Sequence, residues 1–322
     1  MTAKRIACFF FSLLISILFI LPACADSKKD WPEGWERFEM PSGGSVSSPR
    51  MYYWVYTPFD VKPGLPLVVY LHSTHGMSRA ALKPEERGLG ALIVDGTVPE
   101  PECIVLVPQH PGSYDDEWEP VIRSVKRCVE KVIEDYKVDK SKIALTGYSL
   151  GAIGIWDLVN VMPGTFSRLL CVDGRIRKLS MNPELFEGCD VLAYTAYGDQ
   201  TVNNNTIYRF VNTLNELGMK AESIPLVTTH GEIPSQVYSD QSVQEWLWLI
   251  SALVKDEDTE DDFPVISTAP VKTWPAKETA SPTSEPPAAS LSPVPQTASP
   301  SSEQPSVSLS PVQKTATPLP AP

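Results

Sequence analysis

The chain has 322 residues, 43% hydrophobic and 20% charged, with 31 prolines, 6 cysteines, 4 histidines and a formal net charge of -12. That length gives room for one large domain or two small ones around a real core. The acidic balance argues against a nucleic-acid partner, because duplex binding rests on Lys and Arg neutralising phosphates.

The first residues have the pattern of an export signal, expected over 1–25. Lys4 and Arg5 give a positive start, Ile6 to Leu21 form an apolar run, and Ala23-Cys24-Ala25 supplies small residues for cleavage. The run is short and serine-interrupted for a membrane span, which needs roughly 20 apolar residues. Leu21-Pro22-Ala23-Cys24 also resembles the lipobox of bacterial lipoproteins, where an acylated Cys24 would attach the chain to a membrane. The expected location is therefore secreted or at the cell envelope.

Strand and helix patterns then alternate along residues 31–255. Met51 to Tyr56 and Pro66 to Leu71 are strand-like, and Cys103 to Val107 is an apolar run stopped by Pro108. Val121, Val125, Val129, Val132, Ile133 and Tyr136 share one face of a helix. Lys142 to Thr146 is a strand and Leu150 to Met162 a helix, ended by Pro163-Gly164. Arg168 to Val172 and Val191 to Ala196 are further strands, followed by a helix over Asn203 to Leu217 that Gly218 closes. Ser223 to Val227 is a strand and Gln241 to Val254 a final helix. Short apolar strands separated by helices predict an α/β fold, a mostly parallel twisted sheet covered on both faces. Cys103, Cys128, Cys171 and Cys189 fall in these patterns and are expected as buried thiols, with Cys171 and Cys189 the first pair to test for a disulfide.

Beyond 255 the character changes. Lys255 to Asp262 is an acidic run, and the Pro-, Ser- and Thr-rich stretch after it repeats: Thr279-Ala-Ser-Pro282 recurs at Thr297 to Pro300, and Ser290-Leu-Ser-Pro-Val294 at Ser308 to Val312. The period is about 18 residues, shorter than usual solenoid units. Residues 256–322 hold too little apolar surface to offset ordering entropy and are expected to form an extended, disordered tail.

The chemistry sits at the strand ends. Gly147-Tyr148-Ser149-Leu150-Gly151 is a G-x-S-x-G motif directly after one predicted strand and opening the next helix, the setting a nucleophile elbow requires. Ser149 would project above the sheet at a helix N-terminus. A serine nucleophile needs a base, usually a histidine fixed by a carboxylate, in the chain order Ser, Asp or Glu, His. His230 is the only histidine after Ser149, since His72, His75 and His110 all precede it. Asp199, directly after the strand ending at Ala196, is the favoured acid. Asp173, after the preceding strand, is the alternative, whereas Asp190 precedes its strand and falls on the wrong side of the sheet. An oxyanion needs about two backbone N–H groups. Leu150 supplies one by position and Thr74 is expected to supply the other, with Ser73 as the alternative. His72 is expected to be structural and His75 an exposed loop residue, because no cysteine or carboxylate is grouped beside them as a metal site would need.

With these residues placed, the chain resembles the α/β-hydrolase superfamily, in particular the compact bacterial esterases and predicted peptidases related to feruloyl, acetylxylan and polyhydroxyalkanoate-type esterases. Leu67 to His72, Val107-Pro-Gln109 with Trp118, Val138 to Gly147, Gly154 to Asp157, Asp199-x-x-Val202, and His230 with Tyr238 and Trp246 carry the likeness. Ser73 stands where the family usually has glycine, Ala152 follows the elbow, and the stretch from Gly231 to Tyr238 lacks the usual tryptophan. The resemblance implies an α/β-hydrolase fold and a serine hydrolase acting on a small-molecule or polysaccharide-linked carboxylic ester, without metal or cofactor. A serine peptidase of the same fold, or an inactive surface binding protein on this scaffold, are the alternatives.

Overall fold

A computed structural model describes residues 31–46, 48–74, 88–112, 117–177, 181–251, 263–264 and 266. The export signal expected over 1–25 with Cys24, His75, and the repeats of the tail lie outside these residues. All described residues belong to one unit, Met1–Ala269. Strands β1 (Trp35–Met40), β2 (Met51–Tyr56), β3 (Leu67–Leu71) and β4 (Ile104–Gln109) alternate with little helix, apart from α1 (Leu89–Val94). After them come α2 (Ile122–Asp135), β5 (Ile143–Tyr148), α3 (Leu150–Val161), β6 (Arg168–Val172), β7 (Asp190–Ala196), α4 (Asn205–Glu216), β8 (Ala221–Leu226), α5 (Ile233–Tyr238) and α6 (Gln241–Trp246).

The strands form one 8-stranded sheet in the order β1-β2-β4-β3-β5-β6-β7-β8. The pairs β1–β2 and β2–β4 are antiparallel, and every other neighbouring pair is parallel. Successive strand residues point to opposite faces, and β3 shows both sides buried. Leu67, Val69 and Leu71 join one core with residues of α2, α3 and α4, while Val68 and Tyr70 join a second core with α1, α5 and α6. A strand covered twice is apolar throughout, which is why Leu67–Leu71 reads as a continuous run. The expected α/β architecture is the one found.

Several boundaries differ from expectation for identifiable reasons. β1 was not expected: it is an edge strand whose Glu36 and Glu39 face solvent between buried Trp35 and Met40, so its apolar signal is diluted. β8 holds Pro225 opposite Thr195, tolerable because β8 is the other edge and gives up no ladder on its outer side. The helix expected over 241–254 stops at Trp246, because the chain turns at Trp248, whose φ is 57°. Arg168 holds that turn, lying over the Trp248 ring at 4.2 Å and donating to the Trp246 carbonyl.

Cys103, Cys128, Cys171 and Cys189 are buried and free, so the Cys171–Cys189 disulfide is not formed. Burial pushes the Cys128 and Cys189 thiols up to about 12, which keeps them protonated and inert at neutral pH. The core also takes up residues past the boundary expected at 255. Phe263 packs against Trp246 with centroids 6.0 Å apart, the Tyr194 hydroxyl donates to the Pro264 carbonyl, and Ile266 is buried.

Candidate active site

The turn from β5 into α3 is set by close approach. A β-carbon on Gly147 would sit 2.6 Å from the Gly151 carbonyl carbon, and one on Gly151 would sit 1.8 Å from the Leu71 carbonyl oxygen. Only hydrogen fits at either place, and the chain after β3 can therefore lie directly on the first turn of α3. Between the two glycines Ser149 is forced to φ 53° and ψ −114°, outside the regions open to ordinary L-residues. Strain of this kind persists only where its surroundings hold it. Here the Ser149 N–H donates to the Val172 carbonyl at 3.0 Å and the Ser149 carbonyl accepts from Ile153 at 3.0 Å.

His230 lies in the loop between β8 and α5. The Tyr148 hydroxyl donates to its carbonyl at 2.8 Å, with the rings 5.3 Å apart, so the residue before the serine also holds the histidine backbone. His230 Nε2 stands 3.0 Å from Ser149 Oγ. On the other side, Nδ1 lies 2.7 Å from Asp173 Oδ2 and 3.1 Å from Asp199 Oδ2. With two carboxylates facing Nδ1, the proton belongs there and Nε2 is left to accept from the serine hydroxyl.

Both candidate acids thus reach the same imidazole. Asp199 sits in the turn after β7, where its carboxylate accepts from the Thr201 N–H at 2.8 Å and the Val202 N–H at 3.0 Å. Asp173, the first residue after β6, is fully buried at φ 53°. Its Oδ1 accepts from the Ala196 N–H at 3.0 Å and from Asn204 Nδ2 at 2.9 Å. Asp190 is at the far end of β7, paired with Lys220 at 3.5 Å, as its position before the strand implied. Leu150 is the first residue of α3, so its N–H lies among those with no intrahelical acceptor. Thr74 is half-buried in the turn after β3, and Ser73 beside it is buried.

The sequence matches no protein-family model and no curated protein. Among solved structures, a thermostable esterase is similar in fold, with a TM-score of 0.54 at 22% identity over 67% of this chain and 62% of that one. Its likeness and the observed strand order decide the architecture. The chain has the α/β-hydrolase fold. An esterase from Pyrobaculum calidifontis gives a TM-score of 0.47 at 14% identity, over 68% of this chain and 84% of that one. Pyrococcus horikoshii acylaminoacyl peptidase gives 0.47 at 13% identity, over 65% of this chain and 40% of that one.

Within this α/β-hydrolase fold the electrostatics favour a charged imidazole. Burial alone would lower the His230 pKa, but the hydrogen bond and charge of Asp173, with those of Asp199, raise it above the ordinary 6.5. Burial pushes the Asp199 carboxyl the other way, and the Thr201 and Val202 N–H groups with His230 hold it below its ordinary 3.8. The signs follow by linkage. The contribution of His230 to stability is fully present below pH 6.5 and is lost as pH rises through its raised value. That of Asp199 is present above pH 3.8 and is lost as pH falls through its lowered value.

Asp173, Asp199 and His230 also have metal-ligand spacing, their ligand atoms lying within 4.8 Å of one another. A metal there would have to displace the proton from Nδ1.

His72 is structural, as its position suggested. Its Nδ1 donates to the Ser73 carbonyl at 2.7 Å and its Nε2 accepts from the His110 N–H at 3.0 Å. Burial takes its pKa down to about 4, so it stays neutral. His110 is used likewise, Nε2 donating to the Glu117 carbonyl at 3.0 Å and Nδ1 accepting from the Gly112 N–H at 3.1 Å. The pair ties the ends of β3 and β4 together beneath Trp118, whose ring centroid is 4.9 Å from that of His72. A cleft of about 430 Å³ opens on the same rim at β2 and β4, lined by Arg50, Tyr52, Gln109, His110 and Glu117 among others. Ser149 does not line it, and β3 separates the two, placing the cleft two strand spacings or about 10 Å from the elbow.

Sequence reasoning missed two residues of this site, Tyr148 and Asn204. Tyr148 lies inside the motif but carries no sign of its partner, which is 82 residues away. Asn204 stands at a helix start where asparagine usually caps, and here its side chain makes no cap bond and serves Asp173 instead.

Proposed function

We propose that this chain is a serine hydrolase that cleaves carboxylic esters through an acyl-enzyme. The observation that carries the reading is the 3.0 Å contact between His230 Nε2 and Ser149 Oγ, with Nδ1 facing carboxylates on the opposite side. Ser149 attacks the ester carbonyl while His230 takes its proton. The negative oxygen of the tetrahedral intermediate is met by the backbone N–H groups of Leu150 and Thr74. Collapse expels the alcohol, which receives the proton from His230, and the acyl group stays on Ser149. Water then repeats the sequence with His230 as base, releasing the acid. Asp199, with Asp173 beside it, orients His230 and keeps its tautomer. The positive start, apolar run and small residues before Asp26 support an exported or envelope-attached enzyme, whose substrate is an acyl ester on a small molecule or a polysaccharide.

Fluorophosphonate labelling and a panel of chromogenic short-acyl, feruloyl and aminoacyl substrates test this. Labelling confined to Ser149 and hydrolysis of acyl esters in preference to aminoacyl anilides are expected. No labelling of the wild type leaves an inactive binding protein, and preference for anilides makes the enzyme a peptidase.

A pH profile follows from the raised histidine. Only neutral His230 can act as base, so the labelling rate of Ser149 is expected to fall on the acid side with a midpoint above 6.5. A midpoint below that value, measured by probe labelling in a buffer series, contradicts the role given to the two carboxylates.

A further inference from the structure

We infer that His230 is oriented by two carboxylates at once, and that Asp173 from the end of β6, fixed by Asn204, holds the larger share of its Nδ1 proton. This rests on the serine-hydrolase reading and adds a positioning residue to it. The contact to Asp173 is the shorter, 2.7 Å against 3.1 Å to Asp199. The two acids also differ in what else they bind. Asp199 Oδ2, the oxygen facing the imidazole, already accepts from the Val202 N–H, and its Oδ1 from Thr201. Asp173 divides its oxygens: Oδ1 takes the Ala196 N–H and Asn204 Nδ2, leaving Oδ2 for His230.

Burial does not separate them, since the Asp173 side chain is 0% exposed and that of Asp199 3%. A buried carboxylate oxygen depends on the donors that reach it, and the Nδ1–H is the one donor described on Asp173 Oδ2, whereas Asp199 Oδ2 also takes the Val202 N–H. The backbone is arranged to keep Asp173 there. Asp173 adopts φ 53° and its N–H donates to the Tyr194 carbonyl at 2.8 Å, which turns the side chain under β7 toward His230. Among the described residues, the groups facing the imidazole are then Asp173 from the end of β6, Asp199 from the turn after β7, and Ser149 and the Tyr148 ring from the elbow. With two acids on one proton, removal of either leaves one acceptor to hold the tautomer, less firmly when Asp173 is the one lost, whereas removal of both frees the ring to flip.

The test uses the full chain and reads ester turnover, probe labelling and the acid limb of the pH profile. Asp199→Asn is expected to keep turnover within about tenfold of wild type, and Asp173→Asn to lose about a hundredfold. Together the two changes should cost on the order of 10⁴, as loss of tautomer control does. In both single variants the acid limb should move to lower pH, further for Asp173→Asn, which a purely structural role would not produce. Asn204→Ala should also lower the acid limb, with labelling retained. If Asp173→Asn does not fold, Asp199→Asn decides alone: a loss beyond about a hundredfold, approaching that of His230→Ala, overturns the inference. So does an Asp173→Asn enzyme with wild-type turnover and an unmoved acid limb. Absence of labelling in the wild type is a different result, and it removes the hydrolase reading itself.

Discussion

Replacing Ser149 by alanine is expected to lower ester turnover by about a millionfold, to the level of the uncatalysed reaction plus whatever binding retains. Among the described residues, Ser149 is the hydroxyl hydrogen-bonded to His230 Nε2. The same position predicts a gain in stability for a different change. Ser149 is held at φ 53° and ψ −114°, which costs a residue with a β-carbon about 1–3 kcal/mol. Alanine keeps that strain and should leave the urea midpoint near wild type. Glycine relieves it at the expense of some unfolded-chain entropy, so Ser149→Gly should be equally inactive but more stable by roughly 1–2 kcal/mol. Turnover surviving in either variant, or a glycine variant less stable than the alanine one, shows that the strain does not serve to present the nucleophile.

Replacing Gly151 by alanine is expected to damage folding and chemistry together. The added carbon would stand 1.8 Å from the Leu71 carbonyl oxygen and 2.8 Å from that of His72, both backbone atoms of the adjacent chain. No rotamer change can relieve a clash with backbone, so either α3 or the end of β3 must move. Forced overpacking of this sort costs about 3 kcal/mol or more, and at about 2–4 °C per kcal/mol for a domain of this size the melting temperature should drop by roughly 10 °C. Activity should suffer beyond the loss of stability, because Thr74 follows the displaced residues and its N–H would leave the oxyanion position we propose for it. Thermal melts and labelling rates below the transition separate the two effects. A variant within about 1 kcal/mol of wild type that labels normally would mean that the chain after β3 does not rest on the elbow.

The elbow and the histidine that reaches Ser149 were legible because their signals are local or exhaustive. Gly147 and Gly151 flank Ser149 at the junction of a strand pattern and a helix pattern, and His230 is the only imidazole left after them. The acid was not legible in the same way. Asp173 and Asp199 both follow strands, and β6 and β7 are neighbours, so position along the chain admits either. What made both reach His230 is the positive φ at Asp173 and the turn that Thr201 and Val202 close on Asp199. Edge elements were also poorly marked. β1 carries charges on its outer face, α1 is six residues with five of them buried and so lacks a polar side, and α5 has Pro234 as its second residue, which reads as a break.

Apolar runs and their punctuation by Gly and Pro were enough to determine a parallel sheet with helices on both faces, since each strand's alternate residues must be buried on opposite sides. The order of residues along the chain was enough to name a serine and a histidine. Which carboxylates share the histidine proton, which asparagine steadies them, and that Phe263 and Ile266 return to the core were decided only in three dimensions. These depend on hydrogen bonds and contacts between residues far apart in the chain, made by side chains whose composition and spacing carry no trace of their partners.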